Sequence, residues 1–308
     1  MQHLRRRGAG VPQVLADGDG ETSIEIGEWT YEVHEAATGF DLYGVALSWT
    51  PFRNRHHAYA AGEAMARMHI AAEGFAAPRR KVQPLVASFT IFAAANPAAA
   101  MQEYLVARPA LAGNARVWAR AVQALELLAP FHARLRPLLP ALTPLWTHND
   151  LHASNLLWSD AGEQAGCGPS VTAIIDFGLA DRTNAVHDLA HAIERNIVEW
   201  LVLVANPNEP DVVPVHFDHL DSLLAGYESV KPLTAAERAA LAPMAALCHA
   251  EFALSEADYF AEILKSEEKA AMAYDGWLVG HARWFHSLAG RRLLDSIDQW
   301  AHAHEGVS

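Results

Sequence analysis

Three oxygen-bearing side chains lie close together near the middle of this sequence. Asp150 and Asn155 are five residues apart, and Asp176 follows the next apolar run, at residues 171–175. An Asp and an Asn at this spacing, with a second Asp after a hairpin, converge on one point. Hard oxygen ligands of this kind suit Mg²⁺, which keeps several waters and binds few carboxylates beside substrate phosphates. The spacing therefore predicts a magnesium site used in phosphate chemistry.

Two short strands are predicted to position these side chains. Residues 155–158 and 171–175 are apolar, and the segment between them, 159–170, holds three glycines and a proline. Turn-forming residues between two short apolar runs are typical of a hairpin. The predicted hairpin places the polar residues at the edges of its strands.

The order of these polar residues matches a template for phosphoryl transfer. In that template one Asp accepts the proton of the substrate hydroxyl, an Asn holds one metal ion, and the Asp of Asp-Phe-Gly holds the bridging metal. Here His148-x-Asp150-x-x-x-x-Asn155 is followed, 21 residues after Asn155, by Asp176-Phe-Gly. The stretch resembles the aminoglycoside phosphotransferase and choline kinase family of small-molecule kinases.

The resemblance implies an ATP-dependent enzyme that moves the γ-phosphoryl group to a hydroxyl of a small molecule. Asp150 would orient and deprotonate that hydroxyl, while Asn155 and Asp176 would hold Mg²⁺ over the phosphates of ATP. His148 would hold the geometry of the catalytic loop, and His152 would lie near the substrate hydroxyl.

Two features separate the sequence from protein kinases. Position 149 is Asn, where protein kinases usually carry Arg and the resembling family usually carries Gly. No Ala-Pro-Glu and no long loop with a phosphorylation site follow Asp176, which argues against a protein kinase.

The fold class implied by the resemblance is α+β. It is a protein-kinase-like, two-lobed fold with a small, incomplete antiparallel β N-lobe and a large, mainly helical C-lobe. Residues 1–36 would be a remnant of the N-terminal nucleotide-binding lobe and hinge. Residues 37–308 would be the helical C-terminal lobe with the catalytic and metal-binding loops.

The N-terminal segment alternates like short strands after a helix end. The predicted helix end covers residues 1–7, and the predicted strands cover 11–15, 22–26 and 29–35. By resemblance, residues 31–36 would be the hinge. Its backbone, at Tyr31, Val33 and His34, would pair with adenine.

The parts of a kinase-like lobe that precede such strands are not found. A glycine-rich hairpin, a strand lysine and a helix glutamate are expected there, yet Lys81 is the first lysine and lies beyond the predicted hinge. We therefore expect either a truncated chain or a natural short form. Two rival functions stay open: a pseudokinase or nucleotide-binding module without activity, and a metal-dependent hydrolase that uses the same Asp-Asn-Asp set.

The rest of the chain is predicted to be mainly helical. Thr234 to Glu237 form a capping box, residues 206–214 form a loop, residues 71–100 form an irregular insertion, and Pro130 breaks a helix. His69 is predicted to be a core histidine, since it lies on the apolar face of its helix. The predicted helices cover residues 58–70, 112–128, 131–139, about 187–204, 234–265 and 266–288.

Acidic side chains are the candidates for recognising an acceptor. In the resembling family the acceptor binds between the catalytic loop and the C-terminal helices. Glu251, Ser255 and Asp258 share one helix face, either as an acidic patch or as a solvated surface. Asp188, at a helix start, would favour the helix dipole or, by resemblance, accept hydrogen bonds from the catalytic loop. The candidate carboxylates for substrate binding are Glu194, Glu199, Glu251, Glu256 and Asp258.

Composition restricts the partners. The 308 residues are 51% hydrophobic with a net charge of −13, which argues against nucleic acid or an anionic membrane surface and fits a cationic substrate or simple solubility. Cys167 and Cys248 form no disulfide framework, so a cytoplasmic location is predicted. Neither an 18-residue apolar span nor a signal peptide is present. The scattered histidines show no zinc spacing, and nothing indicates an oligomeric state.

Overall fold

The structure of the chain is a computed structural model that describes residues 1–80, 85–159 and 168–304. Helices dominate the described part, and all but the first follow the N-terminal strands. They are α1 Gln2–Arg6, α2 Arg55–Ala72, α3 Pro97–Val106, α4 Pro109–Ala112, α5 Ala115–Leu135, α6 Ala185–Ile197, α7 Trp200–Ala205, α8 Phe217–Glu228, α9 Ala235–Leu247, α10 His249–Asp258, α11 Glu267–Met272, α12 His281–Trp284 and α13 Leu288–Ala303. None of the helices in these ranges is long and apolar enough to cross a membrane.

The strands form three separate antiparallel pairs. The strands are β1 Ile24–Ile26, β2 Trp29–Tyr31, β3 Pro144–Thr147, β4 Leu156–Trp158, β5 Val171–Ile174 and β6 Asp181–Asn184. β1 pairs with β2, β3 with β6, and β4 with β5 in the register Leu156 to Ile174. The predicted hairpin around the polar residues is therefore present, although residues 160–167 of its loop lie outside the described ranges.

The N-terminal strands are shorter than predicted. Residues 11–15 and 33–35 meet through one isolated bridge, Val14 to His34, and through backbone bonds such as Leu15 N to Val33 O at 2.8 Å. The chain next pairs at Phe40, whose N–H and C=O bond Trp158. Residues 36–39 therefore link the N-terminal strands to Phe40, the residue that pairs with β4. This link begins at the end of the hinge predicted at 31–36.

Helix α6 is the centre of the molecule. All 13 of its residues are buried, including Asp188, Glu194 and Arg195. A charge in such a place needs a partner, because desolvation of an isolated ion is costly. The partners of these three side chains define the candidate site described below.

Helices α2 and α8 cross with their backbones close together. A Cβ on Gly62 would collide with Leu223 O, and a Cβ on Gly226 would collide with Tyr59 O. Two glycines that face each other's helix remove the side-chain layer, so the two backbones touch. The crossing therefore determines how closely the side chains at the ends of α2 and α8 approach α6.

Several predicted helix boundaries are wrong. Pro130 lies inside α5, and the helix continues to Leu135. The buried face continues through the proline with Leu128, Phe131 and Leu135, and this packing outweighs the backbone hydrogen bond that proline removes.

The helix predicted to run to about residue 204 instead ends at Ile197. Val198 forms an isolated bridge with Val215, so the chain is extended there before α7 begins. The two long helices predicted after Thr234 are likewise divided, with π-helical turns at Tyr259–Ile263 and Ala273–Gly280. Helix α13 follows them and was not predicted.

The predicted insertion at residues 71–100 is partly a buried strap. We use the name strap for residues 85–92, whose Val86, Ala87, Phe89, Ile91 and Phe92 are buried. Helix α10 holds it. Ser255 Oγ accepts from Val86 N at 3.1 Å, and the Glu251 carboxylate accepts from Ile91 N at 2.6 Å and from Thr90. Lys81 lies outside the described residues.

Candidate active site

The candidate catalytic loop, residues 148–155, is held by hydrogen bonds to one carboxylate on α6. Asp188 Oδ2 accepts from His148 N at 3.0 Å, and Oδ1 accepts from Asn149 N at 2.6 Å. Asp188 is fully buried, so it does not serve as a surface charge for the helix dipole. The alternative prediction, that Asp188 is a buried acceptor for the loop backbone, is confirmed by these two bonds.

Asp188 has a further support from α2 and α8. His69 Nε2 lies 2.9 Å from Asp188 Oδ2, and His69 Nδ1 lies 2.8 Å from the Tyr227 hydroxyl. Burial by itself raises the pKa of Asp188, but hydrogen bonds and charge from His69, followed by His148, hold the net pKa below its ordinary value. His69 is a core histidine, as predicted, and it also orients this carboxylate.

The left-handed backbone of Asn149 explains why this position favours a residue other than Arg. Its φ is +62°, a conformation that glycine adopts freely and that Asn tolerates better than most residues. The side chain is also fixed, because Asn149 Oδ1 accepts from Thr147 Oγ1 at 2.8 Å and from Thr183 Oγ1 at 3.1 Å. The turn that presents Asp150 is therefore rigid.

His148 joins the two halves of the site. Its Nε2 lies 2.8 Å from Ile175 O, and its Nδ1 accepts from Asp150 N at 3.2 Å. These contacts require the tautomer that carries the proton on Nε2. The imidazole ties the backbone at Asp150 to the residue before Asp176, which is the loop-holding role predicted for it.

Asp150 faces a cation rather than open solvent. Its Oδ1 lies 3.3 Å from Arg195 Nε, and its Oδ2 lies 3.6 Å from His152 Nε2. Burial raises the pKa of Asp150, but the hydrogen bond from His152 and the charge of Arg195 outweigh burial, and the net pKa is lowered. Asp150 is therefore a carboxylate at neutral pH.

Asn155 and Asp176 offer the oxygen atoms for a metal ion. Asn155 Nδ2 donates to Asp150 O at 2.9 Å and lies 3.1 Å from His152 Nε2, which leaves Oδ1 for a ligand. Ile175 N donates to Asn155 O at 2.9 Å, so the two loops are adjacent. In the described ranges no cluster of three His, Cys, Asp or Glu residues forms a ready-made metal site. This donor set fits Mg²⁺ only together with phosphate oxygens.

Asp176 itself has a strained and anchored position. Its φ is +58°, its side chain is exposed, and its Oδ1 accepts from Gly178 N at 3.1 Å. Arg80 fixes the next residues by donating to the carbonyls of Phe177 and Gly178. The other carboxylate oxygen, Oδ2, forms no hydrogen bond within the described residues.

A cleft of about 740 Å³ reaches Asp176. It runs under α1 to the N-terminal strands and is lined by Val14, Glu32, His34, Arg80 and Phe177, among others. Of the three predicted hinge residues, only His34 lines it. Tyr31 belongs to β2, and the Val33 carbonyl accepts a hydrogen bond from Leu15 N. The side chains of Tyr31 and Val33 are both exposed.

Helix α10 and its surroundings correct the predicted acidic patch. Glu251 and Asp258 are buried, so the face is neither an open patch nor a solvated surface. Glu251 binds the strap, and Asp258 lies 3.6 Å from Arg108 Nε. Glu199 is paired with His216 at 2.8 Å. Of the five candidate carboxylates, these three have partners away from Asp150.

The remaining two candidates lie beside the catalytic loop, together with a residue that was not predicted. Glu194 Oε2 lies 3.5 Å from Arg195 Nε, and the charges of Arg195, Glu194 and Asp150 all act on Glu256. Arg195 follows Asp188 by seven residues, which is two helical turns. That spacing places both on the face of α6 toward the loop and could have indicated Arg195.

Known proteins resemble this chain in sequence. The model of the phosphotransferase enzyme family matches residues 1–233. A homoserine kinase of Methylobacterium radiotolerans is 29% identical over 241 residues, which cover 78% of this chain. The aligned part spans 61% of that curated relative.

Solved structures show the same fold at low identity. A microcompartment-associated aminopropanol kinase aligns over 95% of this chain and 81% of its own, with a TM-score of 0.56 and 19% identity. An amicoumacin kinase in complex with AMP-PNP and Ca²⁺ aligns over 92% of this chain and 75% of its own, with a TM-score of 0.54 and 13% identity. The predicted α+β, kinase-like fold is confirmed. Because the family model covers most of its length, the chain belongs to the phosphotransferase enzyme family.

Proposed function

We propose that this protein transfers the γ-phosphoryl group of ATP to a hydroxyl of a small molecule. The observation that carries the proposal is the joint support of Asp150, Asn155 and Asp176. One buried carboxylate, Asp188, and one imidazole, His148, fix the loops that bear all three. Such fixed loops supply the positioning on which phosphoryl transfer depends.

Each polar side chain has a distinct proposed role. Asp150, ionised and bonded at its back to Arg195 and His152, accepts the hydroxyl proton and aims the oxygen at the γ-phosphorus. Asn155 Oδ1 and Asp176 Oδ2 hold Mg²⁺. The ion, when bound, neutralises charge on the phosphate oxygens. The cleft that ends at Asp176 takes the nucleotide.

The relatives favour an acceptor that carries an amine beside its hydroxyl. The names of two of them, a homoserine kinase and an aminopropanol kinase, refer to compounds that have both groups. A net charge of −13 favours approach of a cation to this protein. We therefore propose a cationic or zwitterionic alcohol as the acceptor class.

A second candidate function is nucleotide binding without transfer. It would use the cleft at Asp176 for a nucleotide but would lack the transfer step. The two candidates differ in one measurable quantity, because only the kinase releases ADP in proportion to phosphorylated acceptor.

Thermal unfolding with and without ATP and Mg²⁺ tests the nucleotide site. We expect the melting temperature of the full chain to rise by a few degrees, since a ligand at 100 times its Kd adds about 2.7 kcal/mol. The shift should be lost in Asp176→Ala. It should persist in the control Asp295→Ala, which changes an exposed aspartate on α13.

Turnover completes the test. We expect Asp176→Ala to lose at least about 100-fold in kcat with ATP and any accepted alcohol, because charge neutralisation at the phosphates is lost. Full turnover in Asp176→Ala would overturn the proposal. A thermal shift with no ADP release for any alcohol would favour the binding module instead, and phosphate release from substrates without nucleotide would favour a hydrolase.

A further inference from the structure

A buried group of charges lies beside Asp150, and only its arginine contacts the proposed base directly. We name this group the Arg195 cluster, and it consists of Arg195, Glu194 and Glu256. Arg195 is 2% exposed and Glu194 is 4% exposed. Folded proteins rarely bury ionised groups unless something pairs with them.

The guanidinium of Arg195 is held in one orientation. Its Nε lies 3.3 Å from Asp150 Oδ1 and 3.5 Å from Glu194 Oε2. Its central carbon lies 4.2 Å from the ring centre of Phe252 and 5.0 Å from that of Trp49. Two carboxylates at Nε and two rings against the plane leave the terminal nitrogens as the part that can bind something else.

Two atoms of the Arg195 cluster have no described partner. Arg195 Nη2 and Glu256 Oε2 are buried and form no hydrogen bond within the described ranges, whereas Glu194 Oε2 forms no hydrogen bond but lies 3.5 Å from Arg195 Nε. The set thus offers one donor nitrogen and carboxylate oxygens at once. Glu256 is placed near Arg195 by α10, since it follows by one helical turn Phe252, whose ring contacts Arg195. Buried polar atoms are nearly always paired, so this arrangement indicates a ligand with complementary charges.

The pairing of both kinds of atom, rather than the net charge, decides which ligand fits. Asp150, Glu194 and Glu256 carry up to three negative charges against one positive charge on Arg195. A ligand with an ammonium alone would leave Nη2 unpaired and would lie close to a like charge. A neutral sugar would leave both signs unpaired. A ligand with an ammonium and a carboxylate pairs with both.

We propose that the Arg195 cluster binds the amino-acid end of the acceptor, with its carboxylate on Arg195 Nη2 and its ammonium on Glu194 and Glu256. The acceptor class is a small hydroxy amino acid, held so that its side-chain hydroxyl reaches Asp150. This inference rests on the proposed function. In the step itself the hydroxyl oxygen bonds to the γ-phosphorus, the bond from that phosphorus to the β–γ bridging oxygen breaks, and Asp150 takes the proton. The products are ADP and a phosphate monoester of the amino acid.

A panel of matched alcohols tests the substrate class on the full chain with ATP and Mg²⁺. It pairs L-serine with ethanolamine, L-threonine with 1-aminopropan-2-ol, and L-homoserine with 3-aminopropan-1-ol. The second compound of each pair lacks only the carboxylate. 4-Hydroxybutyrate lacks only the ammonium of homoserine. We expect kcat/KM for one of the amino acids to exceed that of its analogues by at least about 100-fold, because unpaired buried groups reject incomplete ligands strongly.

The outcomes test separately the binding of the carboxylate to Arg195, called the carboxylate arm, and the binding of the ammonium to Glu194 and Glu256, called the ammonium arm. An amino alcohol used as well as its amino acid would overturn the carboxylate arm on Arg195. 4-Hydroxybutyrate used as well as homoserine would overturn the ammonium arm on Glu194 and Glu256. Phosphorylation of sugars or aminoglycosides but of no hydroxy amino acid would overturn this inference while leaving the proposed function intact. Absence of all turnover, together with no thermal shift by ATP and Mg²⁺, would overturn both.

Two variants give measurements, a substrate preference and a KM, that would not change if the residue had only a structural role. In Arg195→Gln we expect the preference for the amino acid over its amino alcohol to fall from about 100-fold to less than about 5-fold. Because that variant leaves Glu194 without its cation and risks the fold, Glu256→Gln serves as the second. There we expect KM for the amino acid to rise at least about 10-fold, with kcat changed by less than about 3-fold.

The control for both variants is Glu267→Gln, at an exposed position in the first turn of α11. It should leave KM and the preference unchanged. An unchanged KM in Glu256→Gln, in a protein with the melting temperature of the parent, would overturn the assignment of the ammonium.

Discussion

Asp188 shows how much a single side chain can decide in this protein. It accepts two backbone N–H groups of the catalytic loop and a third bond from His69. No other described carboxylate bonds two successive residues of that loop. The geometry of Asp150 therefore depends on a residue that contacts neither phosphate nor acceptor.

The substitution Asp188→Asn tests that dependence. The amide keeps the shape but replaces one acceptor oxygen by an NH₂ group that faces a backbone N–H. We expect the free energy of unfolding to fall by about 2–4 kcal/mol, since buried hydrogen bonds to charged groups are worth about 1.5–3 kcal/mol each. Urea denaturation measures the loss.

The matched control is Asp218→Asn. Asp218 also lies in the first turn of a helix, α8, but is exposed, so its loss should cost less than about 1 kcal/mol. Equal effects of the two substitutions would show that Asp188 acts only on the helix dipole.

At the residue scale, the sequence predicted those residues whose spacing along the chain is fixed by the chemistry proposed for them. The motif identified Asp150, Asn155 and Asp176, and the structure places them on adjacent loops. The motif did not identify Arg195, because this arginine lies in an apolar helix and belongs to no known sequence motif. Only its spacing from Asp188 indicates that the two residues share a face of the helix. The sequence prediction misplaced Glu251, because a carboxylate that caps a distant strap looks the same in sequence as one that binds a ligand.

At the scale of elements, the crossing of α2 and α8 controls the support behind the loop. Gly62 and Gly226 allow the two backbones to touch. His69 lies near the end of α2 and Tyr227 near the end of α8, and both reach toward Asp188. A change in the distance between these helices therefore moves the base of the catalytic loop.

We expect Gly226→Ala to destabilise the protein by at least about 2 kcal/mol, because the new methyl group meets the backbone of Tyr59 and overpacking costs about 1–3 kcal/mol. Its kcat should fall as well, through the displaced Tyr227 and His69. Urea unfolding and ADP release measure the two effects.

The control is Gly276→Ala, at a helical position where a Cβ meets no atom within 4 Å. Alanine there should be neutral or stabilise by about 0.5–1 kcal/mol. A stable and fully active Gly226→Ala protein would show that the crossing tolerates separation.

Element boundaries were the least predictable part. The sequence rules for proline and for apolar spacing are local, whereas Pro130 stays helical because Leu128, Phe131 and Leu135 pack in one core. The extended residue Val198 pairs with Val215, a contact between distant positions that no local pattern contains. The strap at residues 85–92 is ordered by Glu251 and Ser255, about 160 positions later in the chain.

At the scale of the whole molecule, buried histidines couple stability to pH. Burial lowers the pKa of His187 and of His249 to about 4, and lowers those of His191 and His281 well below the ordinary value. In the unfolded chain each titrates near 6.5. The folded state therefore binds fewer protons between pH 6.5 and 4, and stability falls as pH decreases through that window.

The variant His249→Gln isolates one of these groups. Other groups act in the opposite sense, since burial raises the pKa of Glu194, Glu251 and Glu256, so the comparison with the parent is what counts. We expect the slope of unfolding free energy against pH to be smaller in the variant by up to one proton, about 1.4 kcal/mol per pH unit.

Urea unfolding at pH 7.5, 6.5, 5.5 and 4.5 measures both slopes. The control is Gln299→Ala, at an exposed position of α13 that carries no titratable group, which should leave the slope unchanged. Parallel slopes for His249→Gln and the parent would show that His249 titrates alike in the folded and unfolded chain.

The aromatic rings around Arg195 give the molecule an optical property. Trp49 lies 4.7 Å from Trp277 and 5.0 Å from the guanidinium of Arg195. Indole emission responds to nearby charges, and the proposed acceptor would bring its charges to Arg195, beside Trp49. Intrinsic tryptophan fluorescence should therefore report acceptor binding in the unlabelled protein, before any phosphate moves.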